Sequence, residues 1–516
     1  MRINKFKTEP YEDFSLAINR LAMEKAIAKV EVEFGKEYNL VIGGKYYKTA
    51  KKLFSYNPSD PCEIVGVCQQ ASYKQAEVAI KAATDAFSHW RFVPVENRAN
   101  YLFKAASIIR KRKMELAATM ILEVGKNWLE AIADVAEAID FVEFYAREML
   151  RVAHGYKLTP FPGEKNQYIY IPLGVGIVIA PWNFPLAILV GMTVAPVVAG
   201  NTVIVKPSSN SPVVAAKFME IMEEVGLPAG VINFVTGSGG KIGNVLVKHP
   251  KTRFINFTGS KDVGLWIVEQ GAKKVPGQKW IKRVSAEMGG KNAIIIDREA
   301  DLDKAIEGAV LSAYGYGGQK CSACSRLIVD KSIYNEVIER LAARIKRITI
   351  GPVKYQKNYL GPVIDDRAEK KILNYIKIGK TEGKLLCGGK KVDIPGYFIE
   401  PTVFIDIKPH DRMTQKEIFG PVLSVIKSED FGESLAIAND TEYGLTGGVF
   451  SRNEKKLEKA KQLFHVGNLY LNRKITGALV DIQPFGGYNM SGTCAKAGGP
   501  DYLSLFLQGK SSSQRL

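Results

Sequence analysis

The sequence predicts an α/β fold organised around a doubly wound parallel sheet, and three observations carry the prediction. Beyond residue 174, short apolar runs at 175–180, 202–205, 231–235, 253–257 and 293–296 alternate with helical stretches near 184–199, 211–226, 239–248 and 261–270. Strands joined by helical crossovers produce this alternation. Turn-forming motifs follow the runs directly: Pro181-Trp182-Asn183-Phe184-Pro185, Lys206-Pro207-Ser208-Ser209 and Thr258-Gly259-Ser260. Doubly wound sheets bind ligands at those carboxyl ends of their strands. Finally, no charged residue occurs from 171 to 205, yet Pro181, Asn183, Pro185 and Pro196 interrupt the stretch. A buried strand, turn and helix explain it better than a membrane span.

The remaining elements follow in chain order. An amphipathic helix is expected over 11–35, then a turn-rich stretch containing Gly43-Gly44 and Asn57-Pro58-Ser59-Asp60-Pro61. Helices are expected at 72–90 and 97–124, the first with Ala79, Ala83, Phe87 and Trp90 on one face. A helix over 126–152 carries Glu130, Asp134 and Glu137 at helical spacing, read as a solvated face rather than a metal site. A second α/β stretch runs from about 286 to 488. It includes a helix at 301–316, an apolar run at 326–329 and helices at 332–348 and 365–382. Tyr168-Ile169-Tyr170-Ile171 reads as an apolar strand without a place in the wound sheet, which invites pairing with a second chain. The polar residues 510–516 read as a tail that packs on a neighbour or frays.

Bulk composition narrows the classes. A chain of 516 residues exceeds one hydrophobic core, and 46% hydrophobic with 24% charged residues is ordinary for a soluble globular protein. Cys62, Cys68, Cys321, Cys324, Cys387 and Cys494 form neither a disulfide framework nor a zinc spacing, which fits a reducing cytoplasm and no metal. The N-terminus lacks the apolar core of a signal peptide. The net charge of +18 is spread out, with short runs such as Lys111-Arg112-Lys113 and Lys273-Lys274, and no nucleic-acid-binding motif accompanies it. His89, His154, His249, His410 and His465 fall in no motif, which disfavours a Ser-His-Asp hydrolase.

Chemistry concentrates at two glycine-flanked motifs. Cys321 lies in Gly317-Gly318-Gln319-Lys320-Cys321-Ser322-Ala323-Cys324-Ser325-Arg326, and Glu287 in Glu287-Met288-Gly289-Gly290-Lys291. A thiolate attacks electrophilic carbon, and a carboxylate elsewhere in the fold takes protons from a thiol or from water. Taken singly, a buried structural thiol and a surface charge explain them as well. The ordinary Gly-x-Gly-x-x-Gly dinucleotide fingerprint is missing after the early strands. In its place Phe257-Thr258-Gly259-Ser260-Lys261-Asp262-Val263-Gly264 offers a small-residue turn opening a helix, which suits a pyrophosphate.

These motifs, together with Glu417-Ile418-Phe419-Gly420-Pro421-Val422 and Pro484-Phe485-Gly486-Gly487, occur in an order that resembles the aldehyde dehydrogenase superfamily over about 38–510. Residues 319–326, Thr476-Gly477-Ala478-Leu479-Val480, Ala497-Gly498-Gly499-Pro500-Asp501-Tyr502-Leu503 and the extension 1–37 resemble the branch that oxidises L-glutamate γ-semialdehyde, the 1-pyrroline-5-carboxylate dehydrogenases of proline catabolism. The resemblance implies a Rossmann-like cofactor domain (1–154 and 173–285), a second α/β catalytic domain (286–488) and a small β oligomerisation element (155–172 and 489–516). It implies Cys321 as nucleophile, Asn183 and the Cys321 N–H as oxyanion donors, and Glu287 as the base that hydrolyses a thioester. Lys206 would bond the adenosine ribose, Ser260 the pyrophosphate and Glu417 the nicotinamide ribose, with Phe419 beside it. Ile179, Pro181, Trp182, Ser208, Ser209, Gly239, Phe257, Thr258, Gly259, Val263, Met288 and Gly289 complete the expected cofactor site. Phe184 and Phe485 would sheathe the substrate's aliphatic chain, with Ser322, Gly477 and Ala478 holding its far end.

Three departures from the pattern matter. Ser209 stands where Glu is widespread, so the expected cofactor is NAD with NADP also accepted. Asp481-Ile482 and Cys494 differ near the anchor loop. A homo-oligomer with a dimeric core is implied, with a proline dehydrogenase as a possible partner and neither nucleic acid nor membrane. The rival within the class is another semialdehyde dehydrogenase, such as one acting on succinate semialdehyde. A catalytically silent binding protein is more remote, because nothing structural requires Cys321, Glu287 and Asn183 together. A CoA-acylating variant is disfavoured by the presence of Glu287.

Overall fold

The computed structural model describes residues 4–493 and 495–516, so Cys494 lies outside the described residues. Two seven-stranded sheets organise the chain. The first runs, edge to edge, Arg283–Glu287, Phe254–Thr258, Val175–Ile179, Thr202–Lys206, Ile232–Phe234, Leu40–Ile42 and Lys45–Tyr47. Its first five strands are parallel, and the last two form an antiparallel edge. Ile177, Val178, Val203 and Ile204 are fully buried, because helices cover both faces and leave no polar side for alternation.

The second sheet runs Lys384–Cys387, Thr402–Ile405, Val422–Ser428, Cys324–Asp330, Asn292–Ile296, Thr446–Phe450 and Asn468–Leu471. All but the first strand are parallel. Strand Arg283–Glu287 crosses the boundary expected at 286 and belongs to the first sheet, since it continues the ladder beside Phe254–Thr258. Asn292–Ile296, expected among the runs of the first group, opens the second sheet. Met288-Gly289-Gly290-Lys291 therefore links the sheets, and the two chemistry-bearing motifs meet at this link.

Several expectations are corrected. The helix expected at 11–35 is confined to Ala17–Val32, burying Met23, Ile27 and Val30. The helix expected at 97–124 is two helices, Val95–Lys111 and Lys113–Val124, broken at Arg112. The stretch expected to be turns holds a hairpin, Lys52–Asn57 against Asp60–Gln69. A second hairpin turns at Gly43-Gly44, whose φ values of 59° and 74° suit glycine. Helix 239–248 opens with a π-type turn, Gly239–Gly243. Residues 510–516 are not a loose tail: Leu507–Arg515 pairs antiparallel with Glu164–Pro172, Lys510 opposite Ile169. The strand read as unpartnered thus has its partner within the chain.

Helix Trp128–Val152 holds the largest correction. Its row of carboxylates faces inward, not to solvent. Asp134 is fully buried against the Lys126 ammonium at 2.8 Å. Glu130 meets Lys320 at 2.6 Å, and Glu137 lines a cavity beside Cys321.

Candidate active site

Cys321 sits where two cavities meet. The larger, about 510 Å³, lies along the carboxyl ends of the first sheet's strands. Every residue assigned to the cofactor by resemblance lines it: Ile179, Pro181, Trp182, Lys206, Ser208, Ser209, Gly239, Phe257, Thr258, Gly259, Ser260, Val263, Met288, Gly289, Glu417 and Phe419. Asn210, next to Ser209, and Ile364, Asp365, Ala368 and Lys371, around the start of helix Asp366–Glu382, also line it, and sequence reasoning missed them. Asp365 caps helix Asp366–Glu382 and accepts a 2.9 Å hydrogen bond from the Asn210 amide. Only the fold brings that helix across the cleft, so no local signal marked it.

The smaller cavity, about 100 Å³, is mostly apolar and holds Phe184, Ser322, Gly477, Ala478 and Phe485 with Cys321 and Glu287. Tyr145, Met192 and Tyr502 are also in its walls, and Glu137 adds a second carboxylate. Burial, reinforced by Asp134, pushes the Glu137 carboxyl up to about 8. The departure at Asp481 lies in the anchor region, where Asp481 adopts φ 64° and donates its N–H to the Gly498 carbonyl at 2.8 Å. Ile482 beside it is exposed.

A tight backbone turn presents the thiol. Tyr316, Gly317 and Gly318 take φ values of 52°, 63° and 67°. At Gly318 a Cβ would collide with the Gly420 carbonyl, so glycine is needed there. The Asn292 amide then donates to the Cys321 carbonyl at 2.7 Å and to the Ala323 carbonyl at 2.9 Å. Thr446 donates to the Ser322 carbonyl at 3.2 Å. Asn292 and Thr446 carry no chemical signature in sequence; they matter because they fasten the loop to the second sheet. Cys324 instead points into the core, its Sγ 3.4 Å from the Arg326 carbonyl.

Burial raises the Cys321 thiol to about 12, with Glu417 and Glu287 adding to the rise. Glu287 is itself pushed up to about 8 by burial, against the opposing pull of the Gly487 N–H and Lys496. Gly487 donates to Glu287 Oε2 at 3.1 Å, tying the base to the Phe485-Gly486-Gly487 loop. Asn183 is buried and donates one amide hydrogen to the Gln319 carbonyl at 3.0 Å, which fixes the amide plane next to the thiol loop.

The cleft suits a dinucleotide. Ser260 stands at the N-cap of helix Lys261–Ala272 and makes no side-chain cap bond there, leaving its hydroxyl for a phosphate oxygen. Lys206 is buried, donates only to the Pro207 carbonyl among the described residues, and is pulled down to about 8 by burial. A Cβ at Gly289 would strike the Glu417 carboxylate, and Gly290 donates its N–H to Glu417 Oε1 at 3.1 Å. Phe419, at φ 61°, packs edge-on against Trp182 with ring centroids 5.6 Å apart.

Residues 46–512 match the aldehyde dehydrogenase family, and the chain belongs to that family. Among its relatives, the 1-pyrroline-5-carboxylate dehydrogenase of a Geobacillus species is 54% identical over 99% of both chains. The 1-pyrroline-5-carboxylate dehydrogenase from Thermus, solved with bound NAD, superposes with a TM-score of 0.99 at 53% identity over all of both chains. Proline utilization A from Bdellovibrio bacteriovorus is 46% identical with a TM-score of 0.98, covering 99% of this chain and 53% of that one.

Proposed function

We propose that this protein oxidises L-glutamate γ-semialdehyde, the open form of 1-pyrroline-5-carboxylate, to L-glutamate with NAD. The observation that carries the reading is the small cavity at Cys321: an apolar sleeve with polar groups placed for both ends of an amino acid. Phe184 and Phe485 enclose the two methylenes between the aldehyde and the α-carbon. Gly477 and Ala478 leave their backbone open to the α-carboxylate, and Ser322 adds a hydroxyl. Glu137 suits the α-ammonium, which would draw its raised carboxyl back to the ionised form. Succinate semialdehyde would meet that same carboxylate with a like charge and no ammonium. The relatives named above support the same reaction.

In this mechanism the Cys321 thiol passes its proton to solvent water and its sulfur adds to the aldehyde carbon, the C=O π pair moving onto oxygen to form the thiohemiacetal oxyanion. The free Asn183 amide hydrogen and the Cys321 N–H hold the developing oxyanion. NAD, when bound, supplies the hydride acceptor that turns the adduct into a thioester. Glu287 then takes a proton from water as the water attacks the acyl carbon, and the adduct collapses to the carboxylic acid and the Cys321 thiolate, which regains its proton from Glu287. Lys206, Ser260 and Glu417 hold the cofactor, and Ser209 leaves room for the 2′-phosphate of NADP.

The proposal extends to a cytoplasmic enzyme whose cofactor domain ends at Glu287. It forms a two-fold dimer through the ribbon Glu164–Pro172 with Leu507–Arg515 and works beside a partner that oxidises proline. The half-exposed Ile169 and Tyr170 on the ribbon favour such pairing. The deciding experiment is kcat/KM for glutamate semialdehyde, succinate semialdehyde and hexanal with each cofactor. A clear lead for glutamate semialdehyde is expected, and equal efficiency across the set would refute the substrate. Sedimentation as a stable monomer would refute the dimer.

A further inference from the structure

We propose that Lys126 is a positioning residue for substrate selectivity: its buried ammonium, paired with Asp134, forms a pedestal that fixes the Phe184 ring in the wall of the aldehyde cavity. The proposal rests on the substrate reading above.

Lys126 Nζ lies 3.9 Å from the centroid of the Phe184 ring and 4.9 Å from that of Tyr316. A cation over a ring face is attracted to its π electrons, and more strongly when water is excluded. Both partners of the Lys126–Asp134 pair are fully buried. The other oxygen of Asp134 accepts the Ala187 N–H at 2.6 Å, in the first turn of the helix that directly follows Phe184. One ion pair thus grips this short segment twice, through the ring at 184 and through the backbone at 187. Tyr316 is held in turn by its hydroxyl, which donates to the Val124 carbonyl at 2.7 Å. The pedestal therefore also abuts the turn that presents Cys321.

A buried ion pair is a poor source of stability, because apolar residues of similar volume usually do as well. A role in orientation explains its presence here. Substrates differ in their need for it. Glutamate semialdehyde fills the sleeve between Phe184 and Phe485, whereas propanal reaches Cys321 without spanning the cavity.

The test uses Lys126→Met with Asp134→Asn, which removes both charges, keeps an acceptor for the Ala187 N–H and leaves no lone buried charge. The double variant is expected to fold and to bind NAD with unchanged affinity. It should lose about tenfold in kcat/KM for glutamate semialdehyde, mostly as raised KM, as expected for loss of a desolvated cation–π contact. Propanal oxidation should stay within about twofold on the same reasoning, since that aldehyde does not fill the sleeve. Lys126→Met alone should unfold more readily through its unpaired Asp134, without changing the selectivity result. An unchanged ratio of the two aldehydes in the double variant overturns the proposal, as does equal loss for both, or a loss that disappears when Glu137 is already replaced by Gln, since Asp134 and Lys126 also act on that carboxyl. If the wild type shows no preference for glutamate semialdehyde, the substrate reading fails separately. The pedestal is then decided by a crystal structure of the double variant: a displaced Phe184 ring supports it and an undisplaced ring refutes it.

Discussion

Replacing Glu287 with Gln keeps the size of the side chain and its acceptor for the Gly487 N–H, but removes the base. A positioned general base contributes ~10²–10⁴-fold, so steady-state turnover should fall by that range. Because the Glu287 carboxyl is pushed up to about 8, at pH 7 only about a tenth of it is ionised. Wild-type deacylation should therefore rise roughly tenfold per pH unit below 8 and level off above it. Glu287→Gln should show no such limb. Rapid-mixing absorbance of the reduced cofactor from pH 6 to 9 separates the steps: the variant should keep a fast first turnover and lose the steady phase. Stability should respond in the opposite sense. The folded protein holds this proton more tightly than the unfolded chain, so the wild type loses stability as pH rises from the ordinary carboxyl range through about 8. Glu287→Gln removes that loss and should gain on the order of a few kcal/mol relative to wild type above pH 8. An unchanged steady rate, or a first turnover slowed as much as the steady one, would refute the assignment.

Cys321→Ala should abolish oxidation while NAD affinity by fluorescence titration is retained; Cys324→Ala should remain active, and the reverse pattern would move the nucleophile. Ser209→Glu should lose NADP activity selectively, by about tenfold or more, through like-charge repulsion of the 2′-phosphate; a wild type that rejects NADP outright would contradict this. Gly477 has φ 75°, so Gly477→Val adds strain of ~1–2 kcal/mol besides blocking the anchor. It should impair glutamate semialdehyde at least about tenfold more than propanal, as measured by kcat/KM.

The parts legible in sequence were those where chemistry and hydrophobic period coincide. Buried parallel strands announce themselves as apolar runs, and the motifs after them sit around one cleft. The inward row on helix Trp128–Val152 was not legible. Periodicity says that Glu130, Asp134 and Glu137 share a face but not what faces them, and Lys320, which pairs with Glu130, arrives from a distant loop. Leu507–Arg515 was invisible to the residue pattern, because Leu-Gln-Gly-Lys-Ser-Ser-Ser-Gln-Arg has neither alternation nor apolar content, and only the family resemblance put 489–516 in a β element with 155–172. Its strand state comes from a neighbouring backbone, which sequence patterns do not encode. The strand boundary at Glu287 was missed for a similar reason: Arg283 to Glu287 is polar at both ends.

The Glu417 carboxylate is already engaged by the Gly290 N–H. A carboxylate offers about four acceptor sites, so in the proposed cofactor role a ribose would use the remaining ones while the Gly290 N–H keeps its own. Gly290 thereby holds the carboxylate in one orientation whether or not a ligand is bound. For a redox carrier that departs after every catalytic cycle, an acceptor already held in place need not be reordered at each return, so less side-chain freedom is lost on every binding event.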